Sequence, residues 1–359
     1  MPVIRVVSIA VVLLAAISTA AADQARGGAP QTPPAAAGSL VAPGEEHLRN
    51  VKQLTFGGEN AEAYFSFDGQ WLSFQSTGEH PCDQIYLMKA DGSERRRLST
   101  GRGRTTCSHY MPDGKTVIYA STHLGGDACP PTPSFAQGYV WPVYDSYDIF
   151  RVNADGSQLT RLTSTPGYDA EATVAKDGRI VFTSVRDGDM EIYSMNGDGS
   201  DVRRLTNLPG PDGGPFFSQD GSTIVFRGRH PAPGAELDDY FSLLKKGIWR
   251  PTSLELFVMD RDGGNLRQVT KNGAANFAPY FTPDGRHIIF SSNVDNPNPR
   301  NFDLYLINVD GSGLEKVTHT DVFDGFPMFS PDGRKLVFAS NRNAAKPTDT
   351  NVFIADWVH

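Results

Sequence analysis

One unit recurs along most of this chain, and that repeat leaves few folds open to it. An apolar strand runs into an Asp-Gly turn and a second apolar strand. After a gap come a third strand, another Asp-Gly turn and a short strand of Leu-Thr type. In the fifth copy the inner strand ends at Tyr280 and Phe281, the turns fall at Asp284 and Asp310, and the last strand holds Val317 and Thr318. The first turn of each unit lies at Asp68, Asp113, Asp177, Asp220, Asp284 and Asp332, and the second at Asp91, Asp155, Asp198, Asp262 and Asp310. Asp-Gly suits tight hairpins, because the glycine takes positive φ at no steric cost. First turns lie 45, 64, 43, 64 and 48 residues apart, and a period near 45 with four short strands describes a propeller blade. The expected fold is all-β: a six-bladed β-propeller with four antiparallel strands per blade.

The sixth unit stops after three strands, at residues 351–354. Its missing partner stands at the other end, where Lys52-Gln53-Leu54-Thr55 precedes the first unit. Docking that N-terminal strand beside the C-terminal three closes the ring and removes the open sheet edge. Residues 51–56 are therefore expected to be indispensable.

Ser-Pro-Asp-Gly at 330–333, the Asp-Gly-Ser turns at 91–93, 155–157 and 310–312, and Leu-Thr at 162–163 and 205–206 resemble the repeats of TolB-type propellers. The resemblance runs from Val51 to Trp357. In TolB itself a mixed α/β domain precedes the propeller, and here only a tether stands in that place. Prolyl-oligopeptidase-like enzymes carry similar repeats, but their hydrolase domain and its Gly-x-Ser-x-Gly elbow are missing from this sequence.

Ahead of the repeats, Arg5, an apolar run over residues 6–17 and small residues at 18–22 read as a signal peptide over residues 1–22. That run of 12 residues falls short of the roughly 20 that a membrane span needs. Residues 23–46, rich in Ala, Pro and Gly, read as a disordered linker, and the propeller as residues 47–359. A periplasmic or secreted protein with no membrane span is expected, and a monomer. The formal charge of −8 becomes −9 once Arg5 leaves with the leader. That balance argues against nucleic acid, which calls for a basic surface.

In such a meander all Asp-Gly turns lie on one face. The loops between strands two and three, and between blades, lie on the other, which is the better candidate for binding. Three features converge there. The first is a ring at the start of each inner strand: Asn60, Thr105, Asp169, Asp212, Asn276 and Asp324, with Glu62 and Glu171 two residues further on. Those oxygens suit a divalent cation, ordered water or a basic peptide end, or else they cap loop backbone. The second is a pair of insertions, at residues 122–146 in blade two and 229–253 in blade four. There the two Asp-Gly turns stand 42 residues apart, against 21 to 26 in blades one, three and five. The first insertion carries Phe135, Tyr139, Trp141 and Tyr144. The second predicts a helix with Leu237, Tyr240, Phe241, Leu244 and Ile248 on one face. Trp141 and Tyr240 join the candidate ligand-binding set, as a lid or as packing on the rim.

The third feature is the three cysteines, Cys82, Cys107 and Cys129. Export favours a disulfide, and Cys82–Cys107 is the expected pair, with His80, His109 and His123 nearby as the alternative of a metal set. Asp148, Glu191, Glu255 and Asp303, just before third strands, are expected to tie down loops and to pair with Arg186, Arg229 and Arg342. No nucleophile and base are placed together by spacing, so no catalytic residue and no cofactor is assigned. The function expected is a non-catalytic module binding a protein, peptide or cell-envelope ligand at the channel mouth. The alternative is a lyase or hydrolase with a carboxylate or metal site there, Asp169 pairing with Glu171 or Asp212.

Overall fold

A computed structural model describes residues 39–359, apart from Phe135, Gln137, Pro297 and Pro299. The signal-peptide reading and Phe135 therefore lie outside the described residues. Six four-stranded antiparallel sheets form the blades. Their inner strands are Asn60–Phe65, Thr105–Tyr110, Asp169–Val174, Asp212–Phe217, Asn276–Phe281 and Asp324–Phe329. The outermost strands of blades one to five are two residues long, as at Arg96–Arg97, so each of these five blades presents a minimal outer edge.

Blade six is completed across the termini. Leu48–Gln53 pairs with Asn351–Trp357, which continues through Lys335–Ser340 to Asp324–Phe329. The Leu54 amide donates to the Val352 carbonyl at 2.8 Å, and the Val352 amide donates to Thr55 Oγ1 at 2.9 Å. The segment read as linker docks before it ends: Leu40 and Val41 pack on the blade-six cluster, and buried Glu45 pairs with Arg342 at 2.9 Å.

The repeated residues have repeated duties. In the second turns the aspartate Oδ1 accepts the amide two residues on, at 2.9 Å in Asp91-Gly92-Ser93. In blades one, three, four and five the glycine lies against the outer strand of the preceding blade or the residue that follows it. A Cβ on Gly199 or Gly263 would come within 2.7 Å of the Leu162 or Leu205 carbonyl oxygen. The Leu-Thr threonine caps the third strand of its own blade: Thr206 Oγ1 accepts the Ile192 amide at 2.9 Å and donates to Glu191, and Thr270 does the same for Leu256 and Glu255. The acids before third strands do tie down loops, but their cations differ from the expected ones. Asp148 pairs with Arg161, Glu191 with Arg204 and Asp303 with Lys316. Arg186 and Arg342 reach instead to the inner-strand acids Asp169 and Asp324, and Arg229 to Glu236.

The two insertions pack on each other. Trp141–Pro142 and Ile248–Trp249 form a two-stranded sheet, and the helix is Ala235–Leu244, ending ahead of Lys245 and Lys246. Leu237, Tyr240, Phe241 and Leu244 turn inward onto the cluster of Val143, Tyr147 and Trp249. Among the described residues no helix is long and apolar enough to cross a membrane.

Candidate functional site

Each inner strand carries a bulge at the same place. Its register with the second strand slips between its second and fifth residues, as between Ala61 and Tyr64 or Ala170 and Thr173. The third residue takes left-handed backbone: Glu62, Cys107, Glu171, Gly214, Ala278 and Phe326, with φ between 48° and 59°. A bulge re-aims a side chain and breaks the alternation of the strand. These six residues all line one cavity of about 350 Å³ at the insertion-bearing end of the channel.

Glu62 and Glu171 of the predicted site are thus in the mouth, while the ring two residues earlier braces the structure. All six of its residues start inner strands, and all are buried. Asp169 is held by Arg186 through both oxygens at 2.9 and 3.0 Å. Asp324 is held by Arg342 and Thr320. Asp212 meets His230 Nε2 at 2.9 Å, which raises the imidazole above its ordinary range although burial works against it. Asn60 donates to the Gly57 and Thr350 carbonyls, Asn276 to the Leu254 carbonyl, and Thr105 to that of Asp83. These side chains brace loops between blades, and neither Asp169 nor Asp212 lines the mouth. Tyr240 likewise serves the rim, donating to Asp189 Oδ1 at 2.6 Å and fixing the helix to blade three. Trp141 does line the cavity.

The expected disulfide is corrected. Cys82 pairs with Cys129, their Cα atoms 6.0 Å apart, and Cys107 is free. Cys107 occupies the blade-two bulge and points into the mouth, while Cys82 and Cys129 sit in loops outside it. The histidines are dispersed: His80 meets Arg97, His123 meets Ser121, and His109 lies deep in the channel, its buried ring pushed down to a pKa of about 4.

The mouth has one polar wall and one aromatic wall. On the polar side Glu171 takes Arg227 at 2.6 Å, Thr183 Oγ1 at 2.7 Å and the Gly214 amide at 2.8 Å. Burial disfavours the Glu171 charge, but these partners, Arg227 foremost, hold its carboxyl below the usual range. Arg227 lies over Trp141 and Trp249, 5.7 Å from each ring. Asp83 pairs with Arg104 at 2.8 Å. Among the described residues Glu62 receives only the Cys107 thiol, at 2.9 Å. Burial, seconded by the negative charge of Glu171, pushes the Glu62 carboxyl up to about 7. The same burial, with Glu62 beside it, pushes the Cys107 thiol far above its ordinary value. The aromatic side comprises Trp141, Tyr147, Tyr168, Phe277 and Phe326. Below the cavity, Tyr64, Phe216, Tyr280 and His109 pack ring against ring and fill the channel.

A thiol held protonated is a poor nucleophile. Thiol counting is therefore expected to find one free cysteine per chain that reacts slowly with a disulfide reagent in the native protein and at once in denaturant. Two slow-reacting thiols, or a fast one, would contradict this environment.

No known family profile matches the chain, and no curated protein matches it. Its fold is shared by solved structures. A protein assigned as TolB from Agrobacterium tumefaciens superposes with a TM-score of 0.55 at 20% identity, over 84% of this chain and 91% of that one. A gluconolactonase from Xanthomonas campestris gives 0.56 at 15%, over 87% and 91%. An oligogalacturonate lyase in complex with manganese gives 0.51 at 14%, over 86% and 93%. The propeller is thus TolB-like in architecture, as the repeats implied, and the same architecture carries both TolB and enzymes.

Proposed function

We propose that this protein is an exported, non-catalytic binding module. It takes up part of a protein, a peptide or another cell-envelope ligand at the channel mouth. The observation that carries this reading is the cavity at the channel mouth, beneath the blade-two insertion, lined by aromatic rings and by charged groups. Pockets of this kind combine apolar lining with a few convergent polar groups. Export agrees with the Cys82–Cys129 disulfide.

Ala278→Phe tests it. The corresponding bulge of blade six already carries Phe326 at φ 55°, against 50° at Ala278, so the backbone tolerates the substitution while the ring fills the cavity. Immobilised wild type is expected to retain an envelope component that the variant, melting within a few degrees of it, does not. Equal retention by both proteins would place binding elsewhere and end this reading.

The Glu62 carboxyl, near 7, favours a second reading, a lyase or hydrolase that uses it to accept a proton, since a general base works best with a pKa near the working pH. The proteins sharing the fold include a lyase and a gluconolactonase. In the retention experiment this reading predicts a component released with an altered mass, and recovery of it unchanged counts against catalysis.

A further inference from the structure

We infer that the mouth selects a free peptide N-terminus: an α-ammonium group beside a carbonyl oxygen, on a residue with an apolar side chain. This deepens the binding reading above and rests on it. The charges in the cavity lining do not balance. Three acids, Glu62, Asp83 and Glu171, face two cations, Arg104 and Arg227. Both cations are engaged, Arg104 with Asp83 at 2.8 Å and Arg227 with Glu171 at 2.6 Å. Glu62 is left over; among the described residues it has no ion pair, and its one donor is a thiol. A carboxylate taken from water without a counter-ion is costly, and an arriving ammonium supplies that counter-ion.

Two further observations narrow the ligand. Arg227 is 4% exposed, and its Nε, like that of Arg104, is buried with no acceptor among the described residues. Buried donors are normally satisfied, so a ligand oxygen next to the cation fits the same cavity. Trp141, Phe277 and Phe326 then offer ring faces and edges to an apolar side chain, and to the cation itself. At about 350 Å³ the cavity suits the end of a chain rather than its middle. A metal ion fits less well, since the described residues hold no group of three or more metal-ligating side chains.

Affinity should follow two protonation states. Glu62 must be ionised, and it faces Glu171 and Asp83, which resist that, and Arg227 and the Cys107 thiol, which assist it; burial opposes it most. The peptide amine must stay protonated, and it titrates near about 7.7. Binding is therefore strongest close to neutrality. It weakens below as Glu62 takes up a proton and above as the amine loses one.

The test uses phenylalanyl-alanine amide and its N-acetyl form, titrated calorimetrically into the full-length mature protein at neutral pH. The free-amine peptide is expected to bind at least about ten-fold more tightly, the worth of a charge-assisted hydrogen bond. Glu62→Gln should erase that preference. It should also melt higher than wild type at pH 8 and not at pH 4, because wild type alone then bears a half-buried charge without a counter-ion. Equal binding of both peptides to wild type, a preference that survives in Glu62→Gln, or no binding of either peptide would each overturn the assignment. Loss of the retained envelope component in Ala278→Phe stands apart from these outcomes. It would keep the mouth as a binding site for a ligand of other chemistry.

Discussion

A chain lacking residues 51–56 is expected to lose its cooperative melt altogether. Those residues hold the end of the strand that completes blade six, where Lys52 and Gln53 pair with Ile354 and Phe353. They also supply Thr55, whose hydroxyl lies 3.3 Å from Asn351 Oδ1, and the buried side chains of Val51 and Leu54. Two such side chains are worth about 2 kcal/mol each, and the ladder bonds are lost with them. A domain stable by about 5–15 kcal/mol would keep little. The remaining three strands of blade six would present an open edge beside blade one, an invitation to aggregation. Calorimetry and near-ultraviolet dichroism check this, and a melt at the parental temperature would refute closure across the termini.

Arg227→Met is expected to destabilise by about 3–5 kcal/mol, the cost of breaking a buried ion pair from one side. Arg227 is the main favourable partner of Glu171, and its loss leaves that carboxylate without its counter-ion in a cavity that it shares with Glu62. The double variant Arg227→Met/Glu171→Gln should regain most of the stability, because it removes the orphaned charge as well. Denaturant midpoints of the two variants decide the matter. A single variant as stable as the double would mean that Glu171 finds other compensation.

Much of the fold was legible because Asp-Gly turns and Leu-Thr strands are local signals with fixed geometry. They marked six blades, and the unpaired Leu-Thr segment at the front marked the closing strand. The helical spacing of Leu237, Tyr240, Phe241 and Leu244 likewise announced a helix whose stripe packs inward. The site was harder to read. Residues at the start of the inner strands drew attention because all six are polar, yet uniform polarity across blades reflects a repeated bracing role. The residues that differ from blade to blade, at the bulge, are those that line the mouth: Glu62, Cys107, Glu171, Gly214, Ala278 and Phe326. A bulge shows in the repeat only as a two-residue offset, and nothing in the residue types announces its left-handed backbone. Variation at a fixed repeat position was the signal available.

Cysteine pairing failed for a related reason. Cys107 is near Cys82 in sequence, but the bulge turns it into the channel, while the path of the blade-two insertion brings Cys129 to Cys82. That insertion pairs through Trp141–Pro142 with Ile248–Trp249, which stand far along the chain in blade four, and no local pattern encodes its path.

The most direct test is a crystal structure of the mature protein with the envelope component that wild type retains and Ala278→Phe does not. The ligand should lie in the mouth between Glu62 and Trp141, with a cationic group against the Glu62 carboxylate. A ligand seated on the Asp-Gly face or on the outer rim, with the mouth left to solvent, would contradict it.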